Sequence, residues 1–519
     1  LKAGTTKVSF LSSQYSEVGN LGGITTTADK FTIEDGAVLQ TTAAVEQASP
    51  MKMVGTEGGI INNSADFRME AALSGTQLTK RGAGCLYVHG GSSLSRMIIT
   101  AGSVAETSNP ASTVEFQGGT LYDDAACTSH AIYVPKGKTG TWHLTYTYYI
   151  AYNNKVTGEG TLNIIPRNSV SRVRITGDWS QFEGTIKHTN TAIWLPLDMS
   201  TGMPKGTLDI AEGCGVCNTA KAFTVGQLTG KGSLVQAGPD FKSSSAVSGN
   251  NTWNVGNSND KNFTFAGIFT DDGGSNKVVF NKIGTCKMTV SGKSNHSGAT
   301  TVQGGELHFN AGATLGTGAL TVNKGAILSG VTGTTPLTNS ATTLKSGAIL
   351  QVGANATATT GLMNFGGKNV TIPAGAFLQL GLSRAAVTNA TTGAITNTGG
   401  TSLQNIGKLT MSGTIQLHYS AAFASNVKVG DVVYLWKDVT TFTGTPVLES
   451  EVIDAEKGLF WDTADIMQGI LRVTDVAPVG IRGIAEEAGD TPSIYTLDGR
   501  PVTTPVHGIY IYKGKKVKR

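Results

Sequence analysis

Apolar and polar residues alternate in short runs along most of the chain, and the runs end at Gly, Asn or Asp. Successive side chains of a β-strand point to opposite faces, so this alternation predicts short strands with one buried face. Apolar residues spaced as on one face of a helix are nearly absent. The pattern therefore predicts an all-β protein.

One short motif recurs: an apolar residue, two spacers, Gly, a small residue and then alternating apolar positions. It occupies residues 33–39, 322–328, 344–350 and 372–378. The spacing between the later glycines lies in the twenties, and a period of that size is typical of a solenoid. We expect these glycines to occupy equivalent turns of related coils: Gly36, Gly325, Gly347 and Gly375.

Strands that lack regular two-residue hairpin turns fit coils wound around a common axis, each coil pairing in parallel with the next. Inward side chains then stack as ladders of Val, Ile and Leu, while Thr, Ser, Asn and Lys face outward. Glycine is needed where a coil turns a corner, because φ is often positive there. The inner ladder is predicted to contain Val302, Leu307, Leu320, Val322, Ile327, Ile349 and Leu350, with one of the last two facing outward.

A longer repeat supports the solenoid. Residues 78–90 match residues 280–292, with Lys80 opposite Lys282 and Gly82 opposite Gly284. Together with residues 297–307, this pattern resembles the passenger-associated repeat of bacterial autotransporters. The similarity covers residues 76–110 and 265–330, and residues 177–234 more loosely.

That family forms right-handed parallel β-helices and includes adhesins, enzymes and inert stalks. The resemblance implies a right-handed parallel β-helix over residues 1–400 and a β-rich C-terminal part or cap over residues 401–476. An open solenoid end exposes unpaired backbone groups, which is why we expect a cap.

The C-terminal residues 494–519 carry a second resemblance. An apolar-Tyr-x-Leu-x-Gly-Arg stretch begins at Ile494, a Pro-x-x-Gly-x-Tyr stretch follows from Pro505, and Gly-Lys-Lys stands near the end. These features resemble the C-terminal sorting domain of the type IX (Por) secretion system of Bacteroidota, with one extra residue after Pro505 and a shorter module. The residues that would serve as the sorting signal are Gly508, Tyr510, Gly514, Lys515 and Lys516.

This second resemblance implies a sorting module at residues 477–519 that the secretion machinery recognises. It also implies a protein that is secreted or held at the outer-membrane surface of a Gram-negative bacterium. Because residue 1 is Leu, we expect a processed product or a fragment.

Charge is sparse: Asp, Glu, Lys and Arg make up 15% of the 519 residues, against about 25% in an ordinary soluble domain. The 40 basic and 36 acidic residues leave a net charge of +4, too small to indicate a nucleic-acid partner. No apolar stretch is long enough for a transmembrane helix, so none is predicted.

Five cysteines occur: Cys85, Cys127, Cys214, Cys217 and Cys286. Cys214 and Cys217 have the spacing of half a metal or redox site, but a second pair of ligands is missing from the sequence. Structural thiols, a local disulfide and one longer-range disulfide remain alternatives. We predict neither a metal nor a cofactor.

Acidic residues and histidines give little sign of catalysis. Asp123-Asp124 and Asp271-Asp272 are adjacent pairs, whose members point to opposite faces of a strand, and we expect them to form turns. The eight histidines show no metal spacing. The sequence therefore favours a non-catalytic structural stalk or adhesin-like protein. The alternative is a glycan-binding or polysaccharide-degrading protein that uses one face of the coil.

The densest aromatic stretch places Trp142, Tyr146 and Tyr148 on one strand face. If it is exposed, this stripe is a platform for the sugar rings of surface or host glycans; if it is buried, it is a core strand.

Asp462-Thr463-Ala464 resembles the O-glycosylation sequon of Bacteroidota. The resemblance implies that Thr463 carries a glycan.

Overall fold

The computed structural model describes most of the chain. The described residues are 1–2, 4–8, 31–106, 110–124, 128–145, 150–167, 173–191, 194–199, 201–218, 222–235, 250–257, 259, 261–271, 277–353, 361–382, 387–388, 395–396, 401–478, 494–495, 501–502, 509–512 and 515–518.

Parallel strands stack into four long sheets, which are numbered here in chain order. Sheet 1 contains Thr5–Val8, Phe31–Ile33, Val38–Thr41, Met51–Met53, Gly59–Asn63, Leu73–Arg81, Ser92–Ile99, Thr113–Phe116, Ala131–Val134 and Val156–Gly158. Sheet 2 is the longest of the four and extends from residue 45 to residue 443. Its strands are Val45–Gln47, Phe67–Met69, Cys85–Val88, Ser103–Glu106, Thr120–Asp123, Thr139–Leu144, Thr161–Pro166, Thr185–His188, Met203–Ile210, Ala222–Gly230, Asn251–Val255, Val278–Lys282, Thr300–Val302, Leu320–Val322, Ala341–Leu344, Gly361–Ile372, Thr401–Met411 and Trp436–Thr443.

Sheets 3 and 4 complete the coils in the middle and the C-terminal half. Sheet 3 contains Ile150–Tyr152, Val173–Ile175, Trp194–Leu197, Gly215–Asn218, Ser233–Val235 and Ile268–Thr270. Sheet 4 contains Phe263–Phe265, Lys287–Val290, Glu306–Phe309, Ile327–Gly330, Ile349–Val352, Phe377–Leu382, Thr414–Tyr419 and Val447–Leu448. A short pair, Lys293–Ser294 with Thr314–Leu315, adds a further corner.

Each coil contributes one strand to each sheet that it crosses. That strand pairs with the corresponding strands of the preceding and the following coil. In sheet 1, Thr113–Phe116 lies parallel between Ser92–Ile99 and Ala131–Val134. In sheet 2, the strand that follows it, Thr120–Asp123, lies parallel between Ser103–Glu106 and Thr139–Leu144. Sequential coils with parallel neighbours define a parallel β-helix, so the predicted fold class is confirmed.

The recurring glycine turns stack on neighbouring coils. The Gly325 N–H donates to the Gly347 carbonyl at 2.9 Å, and the Gly347 N–H donates to the Gly375 carbonyl at 2.7 Å. Near the other end of the chain, the Gly36 N–H donates in the same way to the Gly58 carbonyl at 2.8 Å. The φ angles of Gly325, Gly347 and Gly375 are 76°, 81° and 77°, in the left-handed region that glycine adopts without steric cost. These three glycines therefore occupy equivalent turns of successive coils, as the motif predicts.

The inner ladder of sheet 4 is a row of aligned, fully buried side chains. It contains Met288, Leu307, Leu328, Leu350, Leu378 and Ile415. Val302, Leu320 and Val322 are likewise buried, in sheet 2. The expectation that Ile327 faces inward is wrong: Ile327 and Ile349 are half-exposed on the outer face, because the inward position of each strand belongs to the following leucine.

Parallel stacking continues past residue 400 to Val447–Leu448, where a different arrangement closes the solenoid. The helix Ala421–Asn426 and the 3₁₀-helix Ile466–Gln468 accompany an antiparallel sheet of Val432–Tyr434, Val452–Asp454, Leu459–Asp462 and Ile470–Thr474. We refer to residues 421–474 as the closing segment. Phe423 of its helix stacks between Tyr419 and Trp461, and this stacking joins the closing segment to the last coils. Within the described ranges, neither helix has the length or hydrophobicity needed to cross a bilayer. The division into units at residues 400 and 476 stays a prediction.

Two further antiparallel groups are described as backbone. Val387–Thr388 pairs with Ile395–Thr396. Ile494–Tyr495, Pro501–Val502, Ile509–Tyr512 and Lys515–Lys518 form a four-stranded sheet within the segment predicted as the sorting module.

Candidate functional site

A shallow cleft of about 490 Å³ lies on the outer face of sheet 1 and crosses several coils. Its lining residues are Ser95, Arg96, Thr113, Ala131, Tyr133, Lys155 and Thr157. We refer to it as the sheet 1 cleft. Charged, hydroxyl and aromatic side chains all contribute to its lining, which makes it a candidate binding surface.

The strand register explains the shape of the cleft. Arg96 lies opposite Thr113, and Thr113 lies opposite Ala131, so two short side chains form the floor. Because Ile132 pairs with Val156, Lys155 stands beside Ala131 on the next coil. Neighbouring strands are about 4.8 Å apart, which puts the Cα atoms of Arg96 and Lys155 about 14 Å apart. Two cations therefore mark the ends of a trough with a small-residue floor.

Glu115 anchors one end of the sheet 1 cleft. Its side chain is only 3% exposed, and it forms an ion pair with Arg96, whose side chain is 44% exposed. The other carboxylate oxygen accepts a hydrogen bond from Gln117 Nε2 at 2.6 Å. Both oxygens of Glu115 thus have a partner, and the buried carboxylate orients the guanidinium of Arg96.

Tyr133 forms one wall of the cleft and is 37% exposed. It lies opposite Glu115 and two residues after Ala131, on the same outer face. An exposed aromatic ring beside a small-residue floor offers an apolar face with a polar hydroxyl, which suits ring stacking and hydrogen bonding to a sugar.

A second polar group lies on the outer face of sheet 4. Glu306 accepts hydrogen bonds from Ser329 Oγ and from Lys287 Nζ at 2.9 Å, and His308 Nδ1 contacts Ser329 Oγ at 2.7 Å. Burial alone raises the pKa of Glu306, but the hydrogen bonds from His308, Ser329 and Lys287 outweigh it and hold the pKa at about 2. The carboxylate is therefore ionised near neutral pH and cannot act as a proton donor there.

Trp142, the first residue of the predicted aromatic platform, is fully buried. Its indole N–H donates to Asp123 Oδ2 at 2.5 Å, and its ring meets Tyr152 edge-on at 5.7 Å. Trp142 thus belongs to the core of the solenoid. Tyr146 and Tyr148 lie outside the described residues, and a platform at these two tyrosines stays a prediction.

The predicted turn aspartates behave differently from each other. Asp271 accepts hydrogen bonds from the Val278 N–H at 2.8 Å, the Ser297 N–H at 2.9 Å and the Ser297 hydroxyl at 2.6 Å, as a turn-forming residue should. Asp123 instead ends a sheet 2 strand and is fully buried, with His130 Nε2 at 3.4 Å from Oδ2. The expectation of a turn at Asp123 is therefore wrong: the residue belongs to a strand, and its Oδ2 accepts the indole N–H of Trp142 inside the core.

The predicted modification and sorting residues lie near the C-terminus. Thr463 is half-exposed shortly before the 3₁₀-helix, and its hydroxyl donates weakly to Glu451 Oε1 at 3.4 Å. Tyr510, Lys515 and Lys516 are described only as strand backbone, and Gly508 and Gly514 lie outside the described residues. O-glycosylation and sorting stay predictions.

Four cysteines carry reduced thiols: Cys85, Cys214, Cys217 and Cys286. Cys214 and Cys217 are both buried with no disulfide between them, so structural thiols are the alternative that the structure supports. Cys127 lies outside the described residues. In the part of the chain that the structure describes, no three His, Cys, Asp or Glu side chains converge as metal ligands would.

Buried histidines predict acid sensitivity of the fold. Burial lowers the pKa of His296 to about 4, against weaker opposing effects of Asp271 and the hydrogen bond with Phe269. Between the ordinary pKa of about 6.5 and pH 4, the unfolded chain binds a proton here that the folded chain does not. The free energy of unfolding should therefore fall as the pH falls through this window, by up to about 3 kcal/mol from His296.

Denaturant titrations at a series of pH values test this expectation. His296→Gln, which removes the titrating group beside Thr300, should show a flatter pH dependence than the wild type. His130, whose pKa burial lowers to about 3, contributes equally to both proteins, so an unchanged slope in His296→Gln contradicts the assignment.

Comparison with known proteins gives no match to any family model and none to any curated protein.

Proposed function

We propose that this protein is a non-catalytic, cell-surface or secreted β-helix with a structural or adhesin-like role. The observation that carries the proposal is that side chains on the outer face bind one another along the solenoid. Gln351 Nε2 donates to Gln379, Gln379 Nε2 donates to Gln416, and Gln416 Nε2 donates to Glu449, at 2.8, 2.8 and 2.7 Å. Such a row reinforces the stack of coils, and its three glutamine side chains carry no proton that titrates.

Three carboxylates with several hydrogen-bond partners support the same conclusion. Glu115 and Glu306 are each held by a cation and a second donor, and Asp271 is held by backbone and hydroxyl groups. Polysaccharide hydrolysis needs two carboxylates across one bond, one of them with a raised pKa. The occupied oxygens of these three residues favour support of the fold over catalysis.

Export through the C-terminal module is part of the proposal. The residues from Ile494 to Arg519 resemble a type IX sorting domain, and the secretion machinery is the partner that this resemblance implies. The antiparallel strands there differ from the parallel coils, which supports a separate role for the segment. On this proposal, the β-helix is the cargo.

Deleting residues 477–519 should leave the β-helix folded but trapped in the periplasm. Solenoid coils draw their stability mainly from nearest neighbours, so a distal module adds little to them. Fractionation of the native host, with circular dichroism of the purified truncated protein, measures both properties. Normal surface display of the truncated protein contradicts the sorting role, whereas loss of the β signal shows that the segment is a structural cap.

Glycan binding at the sheet 1 cleft is the second candidate function, favoured by the exposed ring of Tyr133 between Arg96 and Lys155. Stacking on the ring and hydrogen bonds from the two cations suit an extended saccharide. A trough of about 14 Å between its cations accepts a short oligosaccharide rather than a single sugar.

A glycan array followed by titration calorimetry tests this second function. Tyr133→Ala should weaken binding to the best array ligand at least about tenfold, because the stacking surface is lost. Tyr122→Ala is the matched control, since Tyr122 is a half-buried outer tyrosine of sheet 2 that packs on His143 away from the cleft. Equal binding by wild type and Tyr133→Ala contradicts the site. Release of reducing ends from a bound polysaccharide contradicts the non-catalytic proposal.

A further inference from the structure

Among the residues described around the sheet 1 cleft, the lining charges are all positive. Arg96 and Lys155 line the cleft, and the lining contains no Asp or Glu. The strand register puts these two cations at the ends of one row, with Thr113 and Ala131 between them. A groove lined by one sign of charge attracts ligands of the opposite sign. The lining therefore favours a negatively charged ligand.

Lys155 is the cation whose ammonium group is open to a ligand. The residue is exposed, and in the part of the chain that the structure describes it forms no ion pair. Two acidic residues near it have other partners: Glu159 pairs with Lys136 at 3.1 Å, and Asp178 Oδ1 accepts the Ser180 N–H at 3.0 Å. A charged lysine has three N–H donors and no acceptor, so an anionic group is its strongest partner.

Arg96 keeps hydrogen-bond donors for a second anionic group. A guanidinium group has five N–H donors, and Glu115 accepts from Nη2 alone. Glu115 is only 3% exposed, whereas the Arg96 side chain is 44% exposed at the edge of the cleft. The buried carboxylate thus fixes the guanidinium before a ligand arrives, which lowers the entropy lost on binding.

Between the two cations, the lining suits a sugar chain. Tyr133 lies in the adjacent row, opposite Thr157, and its exposed ring offers a stacking face. Threonine hydroxyls beside it both donate and accept hydrogen bonds. Glu115 holds Arg96 about 14 Å from Lys155, measured between Cα atoms, and an extended chain with acidic groups on separate sugars reaches both cations.

We propose that the sheet 1 cleft binds an acidic glycan, an oligosaccharide whose sugars carry carboxylate or sulfate groups. The proposal rests on the second candidate function, glycan binding at the same cleft, and adds the chemical class of the ligand. One acidic group binds the ammonium group of Lys155. A second binds the N–H donors of Arg96 that Glu115 leaves open, and a sugar ring between them stacks on Tyr133.

Titration calorimetry of the full chain with matched oligosaccharides tests the charge requirement. The probes are oligogalacturonate with its neutral methyl ester, and a sulfated galactan oligosaccharide with its unsulfated form. At least one acidic probe should bind about tenfold or more tightly than its neutral form, because charge-assisted hydrogen bonds replace neutral ones. This preference should shrink as the salt concentration rises. The preferred pair identifies the acidic group as carboxylate or sulfate.

Charge-removing variants place the effect in the cleft. Lys155→Gln should weaken binding of the acidic probe about tenfold and leave the neutral form unaffected. Lys324→Gln is the matched control, since it removes the same charge from an exposed turn outside the cleft, and it should bind like the wild type.

Arg96 needs a double variant, because Arg96→Gln alone leaves the buried carboxylate of Glu115 without its cation. Arg96→Gln combined with Glu115→Gln removes both charges and keeps the net charge of the protein. It should also weaken binding of the acidic probe about tenfold, and circular dichroism checks that the fold is retained.

The outcomes separate the acidic class from glycan binding itself. Equal affinity for acidic and neutral probes overturns the acidic class and leaves glycan binding in place, provided that Tyr133→Ala weakens both. An equal loss in Lys155→Gln and Lys324→Gln also overturns the proposal, because the attraction then comes from the overall charge. Binding of none of the four probes overturns the proposal together with the second candidate function.

Discussion

Replacing Leu328 by Asp should destabilise the β-helix by more than about 4 kcal/mol. Leu328 is fully buried in the sheet 4 ladder between Leu307 and Leu350, and its own strand lies parallel to both neighbours. The substitution removes a core side chain and puts a carboxylate into an apolar ladder. Thermal unfolding followed by circular dichroism should show a large drop in the midpoint or loss of the folded state at ambient temperature.

The neighbouring residue supplies the control. Ile327→Asp introduces the same charge one position earlier, on the half-exposed outer face beside Glu306. Its cost should stay within about 1 kcal/mol, from lost partial burial and like-charge repulsion. Equal destabilisation by the two substitutions would contradict the assigned faces of this strand.

Replacing Gly284 by Ala should cost about 3 kcal/mol or more, from backbone strain and overlap together. Gly284 has a φ of 70°, and a Cβ built there lies 2.0 Å from the carbonyl oxygen of Asn257 on the preceding coil. Left-handed backbone costs a residue with a Cβ about 1–2 kcal/mol, and the overlap adds to it because neighbouring coils cannot separate without losing hydrogen bonds. Guanidinium denaturation measures the loss as a lower midpoint.

Gly325→Ala is the control that measures the cost of the left-handed backbone alone, without the steric overlap expected at Gly284. Gly325 has nearly the same φ, 76°, but an added Cβ meets nothing within 4 Å. This substitution should cost only about 1 kcal/mol. If Gly284→Ala is no worse than Gly325→Ala, the coils are spaced more widely at Gly284 than the structure places them.

The fold could be predicted well from the sequence because every coil repeats the same local signals. Alternation, glycine turns and the scarcity of helical spacing each favour stacked strands, and the Gly325, Gly347 and Gly375 turns lie where the motif places them. The prediction that the Ile327 side chain faces inward was wrong for a local reason. Ala326, Ile327 and Leu328 are all apolar, so the alternation has no polar residue to mark the outer position.

The sheet 1 cleft was not predicted because it depends on coil length. Arg96, Thr113 and Ala131 are almost evenly spaced along the sequence, but the interval from Ala131 to Lys155 is longer, so no fixed period brings all four together. The burial of Lys282 was not predicted for another reason. Lysine normally faces solvent, and the match between Lys80 and Lys282 shows that the two positions are equivalent without showing that both are buried.

The direction of the backbone hydrogen bonds determines how this protein responds to traction. The strands lie across the solenoid axis, so a pull on its two ends stretches the hydrogen bonds between coils, and each junction between coils carries the whole force. Among the described strands, one of the thinnest junctions joins the coil of Thr161–Pro166 to the coil of Thr185–His188. It has three paired positions in sheet 2, one in sheet 3 between Val173–Ile175 and Trp194–Leu197, and one isolated bridge between Gly158 and Phe182. By contrast, the junction between Gly361–Ile372 and Thr401–Met411 has eight paired positions in sheet 2 alone. A tethered molecule under flow should therefore extend by parting in its N-terminal half, while the coils next to the closing segment stay intact.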